Sequence, residues 1–310
     1  MRCSSRGWAW LLGLALALTA CGDDDGALDA GGADAQVDGG GGEPVALRVA
    51  TWNVENLFDA RNDPERGDDV PSAGEVAQKL EDIARVLRAL DADVVALQEV
   101  ENEAILRSLA EQVPDLGYTE RHLVDSFDGR GIDVACLARV PVTMVANHLG
   151  ERFPNADGTE EYFFTRDALE VFTEKDGVPV TVMILHLRSM LDGGDDIRLA
   201  EALQARRIAD RRLELGGVER MLIVGDMNDF PGSPTLDALL EGGSFVDLTL
   251  GIPVDDRWTF TFRGMRQQVD YVIGTPNMNE DVESIRILHG PEVDAASDHS
   301  PIVADFRIAR

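Results

Sequence analysis

The stretch Met221–Pro234 reads MLIVGDMNDFPGSP. Four apolar residues, Met221 to Val224, lead directly into Asp226, Asn228 and Asp229. A short continuous apolar run of this kind reads as a strand buried on both faces. Asp and Asn just beyond it suit a turn or a helix cap. Taken alone, the stretch says no more than that. Its meaning depends on whether other strands of the chain end in the same way.

They do. The segment ATWNVEN places Asn53 and Glu55 after a strand, and LQEVEN places Glu99 after another. LHLRS supplies His186, Arg188 and Ser189, and QVDYV carries Asp270 inside an apolar run. SDHSP supplies Asp298 and His299. One acid at a strand end is a turn. With GDMND, six segments that deliver carboxylates, amides and imidazoles read as one assembled site.

Working outward, ALRVATWN reads as the first strand, and Glu75 to Leu90 as a helix with Val76, Leu80, Ile83, Leu87 and Leu90 on one face. DVVALQEV is a buried strand, and Glu103 to Val113 a second helix. IDVACLAR, PVTMVANH, DALEVFTE and VPVTVMILHL read as strands, and Asp196 to Leu215 as a third helix. After RMLIVGD a short helix is expected near Ser233 or Pro234, and then strands RWTFTF, QVDYVIG, VESIRILHG and SPIVADFRI. This mixed α/β order has more strands than one doubly wound sheet needs. Two sheets packed face to face, with helices outside each, would hold them.

Composition limits the partners. The chain of 310 residues carries 28 Lys and Arg against 57 Asp and Glu, a formal −29. Such a field opposes non-specific polyanion binding, although a divalent cation and a local arginine cluster can override it. Arg206, Arg207, Arg211 and Arg212 are expected to form a solvated helix face. His122, His148 and His289 sit in no motif. Cys136, in an apolar run, reads as a buried small hydrophobe.

Residues 1–20 read as a signal segment, with Arg2 and Arg6 before an apolar run from Trp8 to Leu18 that is too short for a comfortable membrane span. Leu18-Thr19-Ala20-Cys21 resembles the lipobox of bacterial lipoproteins. That resemblance implies cleavage before Cys21, its acylation, and an exported protein held to a membrane of the bacterial cell envelope. Residues 21–43 read as the acylated cysteine and a Gly/Asp/Ala tether, with seven acids and no bases. Residues 44–310 read as the folded domain, keep 26 bases against 50 acids, and are expected to be monomeric.

The segments around Asn53, Glu99, His186, Asp226, Asp270 and His299, in this order from about Arg48 to Phe306, resemble the endonuclease/exonuclease/phosphatase superfamily. The resemblance implies a four-layer α/β/β/α sandwich of two mixed β-sheets flanked by helices. It also implies phosphoester hydrolysis that depends on Mg²⁺, with Mn²⁺ or Ca²⁺ as alternatives. Glu99 would be the main metal ligand, completed or supported by Asn53, Glu55 and Asp298. Asp226 and Asn228 would position the attacking water and a phosphate oxygen. His299 would be a general base or phosphate contact oriented by Asp270, and His186 a leaving-group acid or phosphate donor. Arg188 and Arg130 are the expected phosphate contacts. Arg166 reads either as another or as half of a structural ion pair.

The substrate is less legible. RQQVDYVIG lacks the Trp, Cys and Arg of the inositol phosphatase branch, while VDYVIG and LHLRS stand closer to bacterial nuclease-like members. DNA or RNA is the leading expectation. A sphingomyelinase-like or other phosphoester hydrolase is the alternative, although no apolar lip is visible in the sequence. A non-catalytic surface binding lipoprotein is the alternative of another class.

Overall fold

The computed structural model describes residues 43–67 and 69–310, with the Asp192 side chain left out. The expected signal segment, Cys21 and the tether as far as residue 42 lie outside the described residues. The chain runs β1 (Val45–Leu57), α1 (Ala73–Leu90), β2 (Val94–Val100), α2 (Glu103–Gln112), β3 (Glu120–Leu123), β4 (Asp133–Ala138) and β5 (Val142–Ala146). It continues through β6 (Phe153–Pro154), β7 (Glu161–Tyr162), β8 (Leu169–Lys175), β9 (Val178–His186), α3 (Asp195–Glu214), β10 (Met221–Asp226) and α4 (Pro234–Leu240). The last part comprises β11 (Val246–Asp247), β12 (Phe260–Phe262), β13 (Met265–Gln267), β14 (Asp270–Gly274), α5 (Pro276–Glu280), β15 (Val282–Ile287), α6 (Pro291–Ala296) and β16 (Ile302–Ile308).

Twelve strands form two six-stranded sheets, in the orders β15-β16-β1-β2-β4-β3 and β11-β14-β10-β9-β8-β5. Side-chain alternation builds the layers. In β2, Val95 and Leu97 face α1 and α2, while Val94 and Ala96 face the other sheet. In β10, Leu222 and Val224 join that central core, while Met221 and Ile223 pack under α3 and α4. Helices, two sheets and helices therefore make the expected four layers. Cys136 is fully buried in the central core. No helix among the described residues is long and apolar enough to cross a membrane.

One parallel pair in each sheet positions the site. β1 and β2 run parallel, joined by α1, and β9 and β10 run parallel, joined by α3. The carboxyl ends of parallel strands lie at one edge, where ligand groups collect. That register sets Asn53 beside Gln98 and Asp226 beside His186. β14 runs antiparallel to β10 and brings Asp270 opposite Asp226.

Helix α3 departs from expectation. It packs through Ala200, Ala202, Ala205 and Ala209, and two of its arginines are engaged rather than solvated. Arg206 is 9% exposed and donates to the carbonyls of Leu239 and Glu241, closing the end of α4. Arg212 donates to the buried Glu170 carboxylate at 2.7 Å. Alanines let the helix approach closely, so long arginine stems reach partners across it.

Candidate active site

Asn53 and Glu99 sit within irregular strand ends, not in turns after them. The β1–β2 register shifts between Asn53 and Leu57, and the β2–β4 register shifts between Gln98 and Val100. Glu55, Asn56 and Glu99 take positive φ of 53°, 51° and 65°, and Asn228 takes 50°. Non-glycine residues rarely adopt this conformation, and such strain gathers at functional sites. The bulges re-aim the side chains toward the edge.

The polar groups then converge. Asn53 Nδ2 donates to Asp226 Oδ2 at 3.1 Å and to Glu99 Oε1 at 3.4 Å, so one amide bridges the two sheets. Its Oδ1 accepts from the Glu55 backbone at 3.0 Å. Glu99 Oε2 accepts from the Asn56 backbone at 3.0 Å. His186 Nε2 lies 3.5 Å from Asp226 Oδ2 and 3.8 Å from Glu99 Oε1. His299 Nδ1 meets Asp270 Oδ2 at 2.8 Å, which leaves Nε2 facing Asp226 at 3.9 Å and Asp298 at 4.0 Å. The buried atoms Asp270 Oδ1 and His186 Nδ1 have no partner among the described residues. Such atoms also occur elsewhere, at Asp133 and Arg220 for example, but these two lie beside the converging carboxylates and are open to a ligand.

The strand end that opens the sequence is built around one glycine. A Cβ at Gly225, whose φ is 134°, would lie 1.9 Å from the Leu185 carbonyl oxygen. Only glycine lets β10 press against β9 just where His186 and Asp226 face each other. Beyond it, the Asn228 backbone donates to Asp226 Oδ1 at 2.8 Å, and its side chain donates to the Leu187 carbonyl. Asp229 turns away and pairs with buried Arg198 of α3 at 3.0 Å. Of the three polar residues there, two serve the cluster and the third fastens the loop.

Glu55 and Asp298 stand at the rim, where Glu55 Oε2 accepts from the Asp298 backbone at 3.1 Å. Arg130 reaches within 3.7 Å of Glu99. Arg188 leaves β9 with its guanidinium unpaired among the described residues, its stem lying where a Cβ at Gly194 would be 2.6 Å from its Cγ. Arg166 is a structural partner, buried against Asp128 at 2.9 Å.

Several supporting residues escaped the sequence reading. Lys79 of α1 donates to the Ala296 carbonyl at 2.6 Å and approaches Glu55 at 3.8 Å. It is one of only two lysines in an arginine-rich chain, and that rarity was the available signal. Ser297 donates to the Asn53 carbonyl and accepts from the His299 backbone, and Trp52 Nε1 donates to the His299 carbonyl. Thr259 accepts from the Asp270 backbone, and Phe260 stacks on the His299 ring at 4.6 Å.

These surroundings hold the two histidines in opposite charge states. Burial lowers the pKa of His186 well below its ordinary value, and the charges of Arg166, Arg130 and His299 lower it further. Burial also disfavours charge on His299, but Asp270, Asp226 and Asp298 outweigh it and raise its pKa to about 10. Burial and the neighbouring Asp270 push Asp226 up to about 7. Burial lowers Lys79 despite attraction from Glu55, Asp298 and Glu99.

One group of side chains among the described residues already lies within ligand distance of a common point. Asp226, Asp270 and His299 each bring one ligand atom within 4.8 Å of the others. There, however, Asp270 is engaged with His299. The Glu99, Glu55 and Asp298 carboxylates offer only oxygen donors and all attract the Lys79 charge, but among the described residues their oxygens do not draw within ligand distance of one another. Hard cations such as Mg²⁺ prefer such donors. The residues present thus fit a divalent ion.

The fold is similar to several solved structures. A family protein from Bacteroides thetaiotaomicron shares 17% identity at TM-score 0.62, covering 86% of this chain and 99% of its own. The human Nocturnin catalytic domain with bound sulfate shares 16% at TM-score 0.62, covering 84% and 94%. A mannosyl-6-phosphatase from Bacteroides thetaiotaomicron shares 16% at TM-score 0.61, covering 83% and 98%. Among curated proteins no sequence matches. The profile of the Endonuclease/Exonuclease/phosphatase family matches residues 48–273, and the chain belongs to that family, whose members are phosphoester hydrolases.

Proposed function

We propose that this chain is a divalent-metal-dependent phosphodiesterase acting on nucleic acid. The observation that carries the reading is the buried convergence of Asn53, Glu99, His186, Asp226 and the His299–Asp270 pair at one edge of both sheets. Glu99, with Glu55 and Asp298, would hold the metal, and Asn53 would orient Glu99 and Asp226. A bound Mg²⁺ supplies charge stabilisation on the phosphoryl oxygens. Asp226 and Asn228 hold the attacking water and a phosphoryl oxygen. Asp270 fixes the His299 ring so that Nε2 faces the phosphate. His186 offers a neutral hydrogen bond from the other side. Arg188 and Arg130 meet the outer phosphate charge.

The bound sulfate in the similar Nocturnin domain supports an anion-binding role for this fold. The nuclease-like VDYVIG and LHLRS segments favour nucleic acid. Cleavage of plasmid DNA and RNA, lost with EDTA and in Glu99→Gln, tests the reading. Intact nucleic acid beside metal-dependent cleavage of another ester would overturn the substrate.

A second reading rests on the β12–β13 hairpin, where Phe262 and Met265 are 37% and 58% exposed. This apolar edge, not legible in the sequence, supports a sphingomyelinase-like hydrolase working at a bilayer. Sphingomyelin vesicles belong in the same assay. Attachment through acylated Cys21 is part of the proposal. Cys21→Ser should release the protein in soluble form, and continued membrane retention would contradict the anchor.

A further inference from the structure

The charged cluster has an uncharged neighbour. A cavity of about 290 Å³ opens beside His299 and Asn228, and its other walls are mainly Met190, Leu191, Phe230, Phe260, Phe262 and Gln267. Apart from His299, none of its lining residues is ionisable. In a chain of formal −29, an uncharged pocket touching the site is a marked local departure.

The walls have a definite shape. The His299, Phe260 and Phe262 rings form a stacked series, with centroids 4.6 Å and 6.3 Å apart and planes tilted by 30° and 21°. Phe230 and Leu191, which also line the cavity, are 39% and 66% exposed. The Gln267 side-chain amide has no partner among the described residues. A row of roughly parallel rings presents flat apolar surface, which suits a planar group that stacks. A free amide beside it can read the polar edge of such a group. A bare sugar would find few hydrogen-bonding partners here, and an alkyl chain would leave the amide unused.

Building on the phosphodiesterase reading, we propose that this cavity is a base subsite. A nucleobase attached through its sugar to the scissile phosphate stacks against Phe260 and Phe262 and bonds to Gln267. Phe262, Phe230 and Gln267 are then specificity-determining residues, while His299, which lines both the cavity and the charged cluster, connects base recognition to the phosphate.

The test uses the full chain with Mg²⁺ and four diesters: thymidylyl-thymidine, the same diester lacking one base, the same diester lacking the other, and thymidine monophosphate esterified with octanol. Products are counted by mass spectrometry, so no aromatic leaving group can occupy the cavity. Removing one of the two bases should lower kcat/KM by roughly tenfold, the scale of one base–aromatic stack. Phe262→Ala and Gln267→Ala should erase most of that difference and leave cleavage of the corresponding base-free diester unchanged. Phe262→Tyr, which keeps the ring, should retain it. Equal cleavage with and without either base would overturn the subsite while leaving the phosphodiesterase reading intact. So would a preference for the octyl ester, which would assign the cavity to a lipid chain, or an equal loss on all diesters in Phe262→Ala. No cleavage of any diester would overturn the phosphodiesterase reading, and the subsite with it.

Discussion

Two buried histidines of this protein each face carboxylates, and they are built to opposite ends. His148 bonds Glu151 through Nδ1 at 3.0 Å and Glu170 through Nε2 at 2.9 Å. Glu170 is further held by Arg212 at 2.7 Å. His299 bonds Asp270 through Nδ1 alone, and its Nε2 faces the cluster edge. Beside it, Asp270 Oδ1 and His186 Nδ1 are unpartnered. Around His148 both ring nitrogens are engaged, and only the Asp167 Oδ2 next to it stays unpaired. A saturated network fixes a fold, whereas a partly open one keeps groups ready for a ligand. Burial and a carboxylate partner do not by themselves mark a site. The distinguishing feature is the second ring nitrogen, bonded in His148 and facing the cluster edge without a hydrogen bond in His299.

The sharpest separation of the two regions comes from Glu99→Gln. With the charge proposed to hold the metal removed, kcat/KM should fall about a thousandfold or more while the thermal midpoint stays within a few degrees. A large drop in midpoint would place Glu99 with the structural networks. The mirror experiment is His148→Leu. It leaves buried charge on Glu170 without one of its partners and should cost about 3 kcal/mol in urea unfolding, with kcat unchanged. Loss of turnover without loss of stability would break the comparison.

A smaller effect is expected from Arg188→Ala. Its guanidinium, unpaired among the described residues, is the proposed phosphate contact, and its loss should cost about tenfold in KM and nothing in stability. No change in KM would leave it as a surface arginine. The smallest effect is one of pH. Burial opposes charge on His148, but Glu170 and Glu151 raise its pKa. Burial opposes charge on Glu170 too, but His148 and Arg212 lower its pKa. A raised histidine stabilises fully below its ordinary pKa and loses that contribution as pH rises through the folded value. A lowered glutamate stabilises above its ordinary pKa and loses it as pH falls through the folded value. The stability gap between wild type and His148→Leu should therefore be widest between these two limits and narrow on both sides. A gap independent of pH, measured by urea midpoints, would remove the ion pair from the account.

The same contrast shows what the sequence made readable. His299, Asp270, Asp226 and Glu99 were visible because they interrupt apolar strands in a fixed order. The layers followed from long periodic segments such as α1 and β10. His148 was passed over because its partners arrive from Glu170 and Arg212, far along the chain, with no local pattern. Short elements were missed for a related reason. β3, β6, β7, β13, α5 and α6 span between two and six residues each, too few to show a period. α6 matters most, because its last carbonyl, at Ala296, anchors Lys79 beside Glu55. The strand ends were placed as turns because a bulge cannot be seen in one chain; the partner strand defines it.

The most direct test of the central claim is turnover of plasmid DNA and bis(p-nitrophenyl) phosphate by residues 44–310, with Mg²⁺ or EDTA, for wild type and His299→Ala. The account predicts cleavage that EDTA abolishes and that His299→Ala reduces by about a thousandfold, with the fold intact by circular dichroism. Folded wild-type protein that cleaves neither substrate, or that cleaves them equally well with EDTA and without His299, would contradict it.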